Sequence, residues 1–245
     1  MIFIMFVYLC SSLFLFIMSK CHQCIIKQFN SFKSLSTKEL SCISDSKTEM
    51  SFKKGQVVFT EGSSINGVFC VKSGKCKLSK LNSNGKEQIV RFVKGGDVLG
   101  YRSVIVNEPV TLTVTALEDM KACFIPKVEI FEAIEKNPKF IMDMMKTACS
   151  DLKDANMTLS KMAQKNVRER LADTLLFLQD SFDLTEDGYI NIQLSREEIS
   201  SIIGTATESA IRLLSEFKKD KLINLKGKNI QILNAQKLRN ISEGF

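Results

Sequence analysis

Residues 195–217 read SREEISSIIGTATESAIRLLSEF. Ser195 and Glu198 have the reciprocal spacing of a capping box, and they open a helix whose apolar face is Ile199, Ile202 and Ile203. Gly204 ends that helix, and Thr205 with Glu208 repeats the capping-box spacing at once to open a second one. Two short helices hinged on a glycine, about three or four residues apart, form the helix-turn-helix pattern. In the second helix Ala210, Leu213, Leu214 and Phe217 share one face, which is expected to point inward. Thr207, Glu208, Ile211, Arg212 and Ser215 fall on the other face. A glutamate, an isoleucine and an arginine facing outward near a helix N-terminus suit the hydrogen-bonding and methyl edges of bases in a major groove.

Downstream, the apolar runs 222–225 and 230–233 flank Lys226-Gly227-Lys228, which reads as a hairpin with basic residues at its tip. Residues 205–239 hold eight basic side chains against three acidic ones. A surplus of five positive charges on a helix and hairpin is where phosphate contacts are needed. Upstream, residues 166–182 carry Val167, Leu171, Leu175, Leu178 and Phe182 on one helical face. A polar turn at 183–188 follows, and Tyr189, Ile190 and Ile192 are expected in a short strand.

Further back, Asn137-Pro138 supplies an N-cap followed by proline at the first helical position. Ile141, Met145, Ala148, Leu152, Ala155, Leu159 and Met162 then alternate steps of four and three. A helix of some 25 residues in this register runs about 38 Å. A stripe this narrow suits a partner helix better than a broad core, so a parallel dimer seam is expected, with the two alanines permitting close approach.

Before Pro126 the period changes to that of strands. The runs 56–60, 68–72, 75–81, 87–93, 111–117 and 121–125 are bounded by glycine, asparagine or proline, and several alternate apolar with polar residues. Many short strands at near-regular spacing indicate an antiparallel roll or jelly roll. The expected fold class is α+β: an antiparallel β-roll or jelly roll, a long helix with a dimer seam, and a C-terminal helix-turn-helix followed by a hairpin.

Composition excludes a good deal. The 245 residues contain one histidine, His22, so no HExxH site or two-histidine metal centre can form. Eight cysteines, unevenly spaced, do not make a secreted disulfide framework. The net charge of +7 leans towards an anionic partner. Residues 1–18 are apolar with no charge, yet they fit poorly both a spanning helix of about 20 residues and a signal peptide with a basic start. Met18-Ser-Lys-Cys reads as a natural start, against the alternative of a real membrane anchor.

From about Cys21 to Leu233 the order of elements resembles the Crp/Fnr family of bacterial transcription regulators. The stretch LSREEISSIIGTATESAIRLLSEFKKDKLINLKGKNIQI is similar to the family's DNA-binding signature, and Gly55, Gly62, Gly74 and Gly100 fit the glycines of its barrel. The resemblance implies an apolar extension at 1–20, a β-roll sensor domain at 21–136, a dimerisation helix at 137–164 and a winged helix-turn-helix domain at 165–245. It implies that Glu208 and Arg212 read the core of each half-site. Thr207 and Ile211 then hold variable reading positions, Ser215 adds a contact, and Lys226 and Lys228 meet the backbone. Ile211 departs from the small residue common at its position, and a contact with a thymine methyl is expected. Double-stranded DNA, a second copy of the chain and RNA polymerase are the implied partners. The implied protein is a cytoplasmic regulator and not an enzyme, with no stable membrane association.

Three readings of the signal stay open. Nucleotide-binding members grip the ribose with a glycine-glutamate pair and the phosphate with a later arginine. Here Gly100 is followed by Tyr101 and Arg102, and Val110 stands at the arginine position, which speaks against a cyclic nucleotide. The oxygen-sensing branch holds an iron–sulfur cluster. Cys21 and Cys24 resemble its N-terminal pair and Cys123 its distant ligand, while the third N-terminal position is Asn30. Cys42 or an oxygen ligand would complete the set; Cys70, Cys76 and Cys149 read as core or helix-face residues. A lone CxxC also serves as a disulfide, a zinc half-site or a vestige. The third reading is a different small molecule in the barrel, or no signal. Rivals from other classes are a membrane-tethered signal-binding protein and a redox protein using the N-terminal cysteines.

Overall fold

The computed structural model describes residues 31–83 and 85–245. The apolar residues 1–18, the pair Cys21 and Cys24, His22 and Asn30 lie outside them. Two compact units divide the chain. One runs up to Cys76 and takes in Val93–Cys149; the other joins Lys77–Phe92 to Ser150–Phe245. The architecture is α+β, with an antiparallel β-roll and a C-terminal helix-turn-helix.

In the first unit, β1 (Thr48–Phe52), β3 (Gly67–Ser73), β6 (Val98–Leu99) and β8 (Met120–Pro126) form an antiparallel sheet in the order β1-β8-β3-β6. Strand β2 (Val57–Phe59) pairs with β7 (Thr113–Ala116). The alternation read in the sequence holds in β7, where Val114 and Ala116 are buried and the threonines half-buried. Residues 67–71 of β3 are buried without alternation, as in a strand covered on both faces. Strand β1 carried no clear signal, because only Phe52 of its five residues is buried.

Helix α1 (Thr37–Ser46) opens on a complete Ser36–Glu39 capping box and buries Leu40 and Ile43. Both join a core with Phe32, Leu35, Val68, Cys70, Cys123, Ile125, Ile130 and Phe140, in which the Phe32 and Phe140 rings meet edge to face at 5.4 Å. Gly100 precedes α2 (Tyr101–Val106) at φ 81°, in the left-handed region that favours glycine; a Cβ there would meet only the terminal methyl of Ile65, 2.4 Å away, which a turn of that side chain can relieve. Helix α3 (Lys127–Lys136) ends at Asn137. Its Oδ1 accepts hydrogen bonds from the Lys139 and Phe140 amides, each at 3.1 Å, and so starts α4 (Pro138–Gln164) as the sequence predicts.

The second unit contains the hairpin of β4 (Lys75–Leu81) and β5 (Glu87–Lys94), apart from their outermost residues, and α5 (Val167–Ser181), capped by Asn166. It also holds α6 (Arg196–Ile203), α7 (Thr207–Lys219), β9 (Ile223–Lys226), β10 (Asn229–Ile232) and α8 (Ala235–Ser242). Helix α5 packs on α8 and on α6, and α6 packs on α7. Leu171, Leu175, Leu178, Ile199, Ile203, Ala210, Leu214 and Phe217 are fully enclosed. The strand expected around Tyr189–Ile192 is reduced to one isolated bridge, Leu184 with Ile190. The Ile190 amide donates instead to the Ile230 carbonyl at 2.8 Å, so this segment packs beside the hairpin rather than forming a strand of its own.

Candidate functional site

The two helices at 195–217 form as the sequence predicts, with one correction. The Ser195–Glu198 capping box is complete, and Gly204 ends α6 in the left-handed region at φ 63°. The expected Thr205–Glu208 box does not form. Helix α7 is capped by Ala206 with no side-chain bond, and the Thr205 amide donates back to the Ser200 carbonyl at 3.1 Å. The turn is closed instead by the Thr207 and Ser200 hydroxyls, 3.2 Å apart.

That bond decides how the outer face is presented. Thr207 is half-buried with its hydroxyl against Ser200, whereas Glu208, Ile211, Arg212 and Ser215 are exposed. Ile211 is 45% exposed, unusual for an isoleucine with a fully enclosed alanine beside it. Ser215 donates its hydroxyl to the Ile211 carbonyl at 2.9 Å, which leaves oxygen lone pairs facing out. The inner face is as expected except that Leu213 and, in α6, Ile202 are only half-buried.

The hairpin of β9 and β10 pairs Lys226 with Asn229, so Gly227 and Lys228 form a two-residue turn with glycine first at φ 60°. Lys226 and Lys228 are exposed beside it. Arg196, at the start of α6, donates from Nη2 to the Gly227 carbonyl at 3.0 Å and ties the turn to the helix. Burial pushes its guanidinium pKa down from the usual value, and its Nη1 is enclosed without a hydrogen-bond partner.

In α4 only Phe140 and Met144 are buried. Ile141, Met145, Ala148, Leu152, Ala155 and Leu159, the stripe read in the sequence, are exposed, and Met162 is half-buried. Leu152 and Leu159 are 62% and 70% exposed.

On the sensor side, Cys123 is buried in β8 and stands opposite Cys70 of β3 in the strand register. Cys76 is buried, while Cys42 and Cys149 are exposed. Arg102 pairs with Glu108 at 3.5 Å at the surface, and Val110 is buried. Among the described residues, no three histidine, cysteine, aspartate or glutamate side chains converge to hold a metal ion.

Residues 49–137 match the cyclic nucleotide-binding domain, and residues 169–241 match the Crp-like helix-turn-helix domain. The chain belongs to the Crp/Fnr family of transcription regulators. It is 27% identical over 227 residues to the fumarate and nitrate reduction regulatory protein of Vibrio cholerae, covering 91% of this chain and 90% of that one. It is 28% identical over 194 residues to the transcriptional activator protein anr of Pseudomonas aeruginosa, covering 78% and 79%. The solved structure of FixK2 from Bradyrhizobium japonicum shares the fold at a TM-score of 0.72 and 24% identity, over 80% of this chain and 96% of that one. This family consists of transcription regulators, not enzymes. Among the described residues, no helix is long and apolar enough to cross a membrane.

The residues that hold α7 in place gave little sign of themselves in the sequence. Arg170 donates from Nε to the Ile203 carbonyl at 2.8 Å and from Nη1 to the Lys165 carbonyl at 2.7 Å, satisfying helix-end acceptors. Arg168 bonds Glu216 at 3.3 Å and lies 5.0 Å from the centroid of the Phe217 ring, which braces α7. Ser201 donates to the Glu87 carbonyl at 2.7 Å and accepts from the Ile89 amide at 2.9 Å, so α6 satisfies one edge of β5. Beside it Lys77, buried, bridges Glu87 at 2.8 Å and Glu198 at 3.2 Å. Burial pushes the Glu87 carboxyl up, but its hydrogen bonds from Lys77 and Ser79 outweigh that and hold it below the usual range. All these contacts join residues far apart in the chain or without a motif, so only the Ser195–Glu198 spacing was available to find them.

Proposed function

We propose that this Crp/Fnr regulator binds a palindromic duplex operator as a homodimer, reading each half-site with the outer face of α7. The observation that carries the reading is the division of α7. Ala210, Leu214 and Phe217 are enclosed, and Glu208, Ile211, Arg212 and Ser215 stand outward. Arg212 is suited to the two acceptors of guanine, Glu208 to the amino group of cytosine, and Ile211 to the methyl of thymine. Thr207 sits at the helix start, where a side chain meets the groove, and Lys226 and Lys228 supply phosphate contacts. The stripe from Ile141 to Met162 is the seam for the second copy, and RNA polymerase is the partner through which bound dimers act.

The signal that fits best is oxygen or redox state, through an iron–sulfur group held by Cys21, Cys24 and Cys123. Thiolates are its usual ligands, and the donor chemistry fits at Cys123, a buried thiol with a second cysteine across the strand pair. Such a group supplies oxygen-labile redox chemistry when bound. A cyclic nucleotide fits less well, since buried Val110 offers no charge to a phosphate and Arg102 is engaged at the surface by Glu108.

The test is selection of random duplex DNA by the purified protein, with and without oxygen. The expected product is a palindrome with half-sites about 34 Å apart. Repeating the selection with Ile211→Ser should change the preferred base at one position of each half-site. Failure to enrich any palindrome overturns the operator reading, and an unchanged sequence with Ile211→Ser overturns the methyl contact.

A further inference from the structure

We propose that Glu216, held by Arg168, is a positioning residue for Arg212 and aims that guanidinium at its base. The inference rests on the reading of α7 as the helix that enters the major groove, and it adds the pair that orients its arginine.

Glu216 stands where helix physics does not favour it. It lies in the last turn of α7, near the negative end of the helix dipole. It also follows Arg212 by four residues, and acid after base is the weaker order for such a pair. Arg168 of α5 compensates from outside the helix. Its Nη1 donates to Glu216 Oε2 at 3.3 Å, and its Nη2 lies 3.5 Å from Asp220 Oδ2. The same guanidinium lies over the enclosed ring of Phe217. A planar guanidinium stacked on a ring and paired on two sides has little rotamer freedom, so it fixes the carboxylate it holds.

The other oxygen of that carboxylate faces the reading residue. Glu216 Oε1 is 4.0 Å from Arg212 Nε, an ion pair rather than a hydrogen bond. Among the described residues, neither Nη1 nor Nη2 of Arg212 donates a hydrogen bond. Those two nitrogens form the fork that matches the two acceptors of guanine. A carboxylate beside Nε therefore orients the guanidinium without occupying the fork, and an arginine oriented in advance loses less freedom when it docks.

A glutamate that is only a surface charge makes the opposite forecast. It repels phosphates, so its removal should tighten binding to every duplex alike. The two forecasts differ in sign, and competition titration of the full chain separates them. The DNAs are the selected operator, the operator altered at the base pair where Arg212→Ala loses discrimination, and a random duplex. Glu216→Ala should weaken operator binding about fivefold, the worth of a well-formed exposed ion pair, with the loss confined to that base pair and random duplex bound no less tightly. Arg168→Ala should lower discrimination at the same base pair by a smaller factor, and Glu216→Gln, nearly isosteric, should fall between wild type and Glu216→Ala. In an Arg212→Ala chain, Glu216→Ala should cost nothing further.

Tighter binding of Glu216→Ala to operator and random duplex alike overturns the proposal. So does an equal loss with and without Arg212, or a lower melting temperature with discrimination intact, which marks a brace and nothing more. If Arg212→Ala loses discrimination and Glu216→Ala keeps it, the reading of α7 stands and this inference alone falls. A wild-type chain that selects no operator removes the reading of α7 and the inference together.

Discussion

Helices α4 and α7 are both amphipathic, and they dispose of their apolar faces in opposite ways. Helix α7 encloses Ala210, Leu214 and Phe217 completely and turns Glu208, Arg212 and Ser215 to solvent. Helix α4 encloses Phe140 and Met144 near its start and leaves Ile141, Met145, Leu152 and Leu159 in water. A polar outer face is at ease in solvent and is available to an anionic, hydrogen-bonding ligand. An apolar one is not: each Å² removed from water is worth about 25 cal/mol, and a contiguous exposed stripe marks a surface that a protein partner covers. The same kind of helix thus points to DNA in one region and to a second copy of the chain in the other.

Substitution of the bare stripe gives the harshest trial of this contrast. Leu152→Glu is expected to yield a monomer by light scattering, with operator affinity about 100-fold lower or worse, because two linked half-site contacts become one. A dimer with unchanged affinity would remove the distinction between the two helices. Arg212→Ala comes next. It should cost about 1–3 kcal/mol in operator binding, roughly 10- to 100-fold, while sparing weak binding to random DNA at low salt. Competition titration measures both, and an equal loss on both DNAs would make Arg212 a phosphate contact.

Helix α7 also depends on what lies behind it. Arg170→Ala leaves the Ile203 and Lys165 carbonyls short of a donor and should destabilise the protein by about 1–3 kcal/mol, read as a lower denaturant midpoint. No change would mean that the turn holds without it. The smallest effect is one of pH. Burial pushes the Asp173 carboxyl up, but hydrogen bonds from Lys161 and Lys165 prevail and hold it below the usual 3.8. A depressed carboxyl contributes stability that is complete above its unfolded value and is lost as the pH falls through its folded one. Asp173→Asn should therefore narrow the stability gap between neutral pH and pH 3, and an unaltered acid limb in thermal melts would remove the effect.

The helix-turn-helix was legible because its signals are local. Ser195, Glu198 and Gly204 each act within one helical turn, and Asn137-Pro138 announces α4 in the same way. Legibility stopped where local rules compete. Thr205 and Glu208 have capping-box spacing, yet the hydroxyl that closes the turn belongs to Thr207, through Ser200 on the other helix. Tyr189 and Ile190 have strand propensity, but the Ile190 amide finds its acceptor on β10 rather than in a strand of its own. Propensity ranks such choices, and tertiary hydrogen bonds make them.

The sequence by itself determined the family, the order of the elements and the outward set Glu208, Ile211, Arg212 and Ser215, because periodicity, caps and glycines act over a few residues. It also marked Cys123 as a thiol of interest. Only the tertiary structure set Cys70 opposite Cys123, brought Arg170 to the end of α6, and joined Lys77 to Glu198. Those pairings arise from strand register and packing between residues far apart in the chain, which no local pattern encodes.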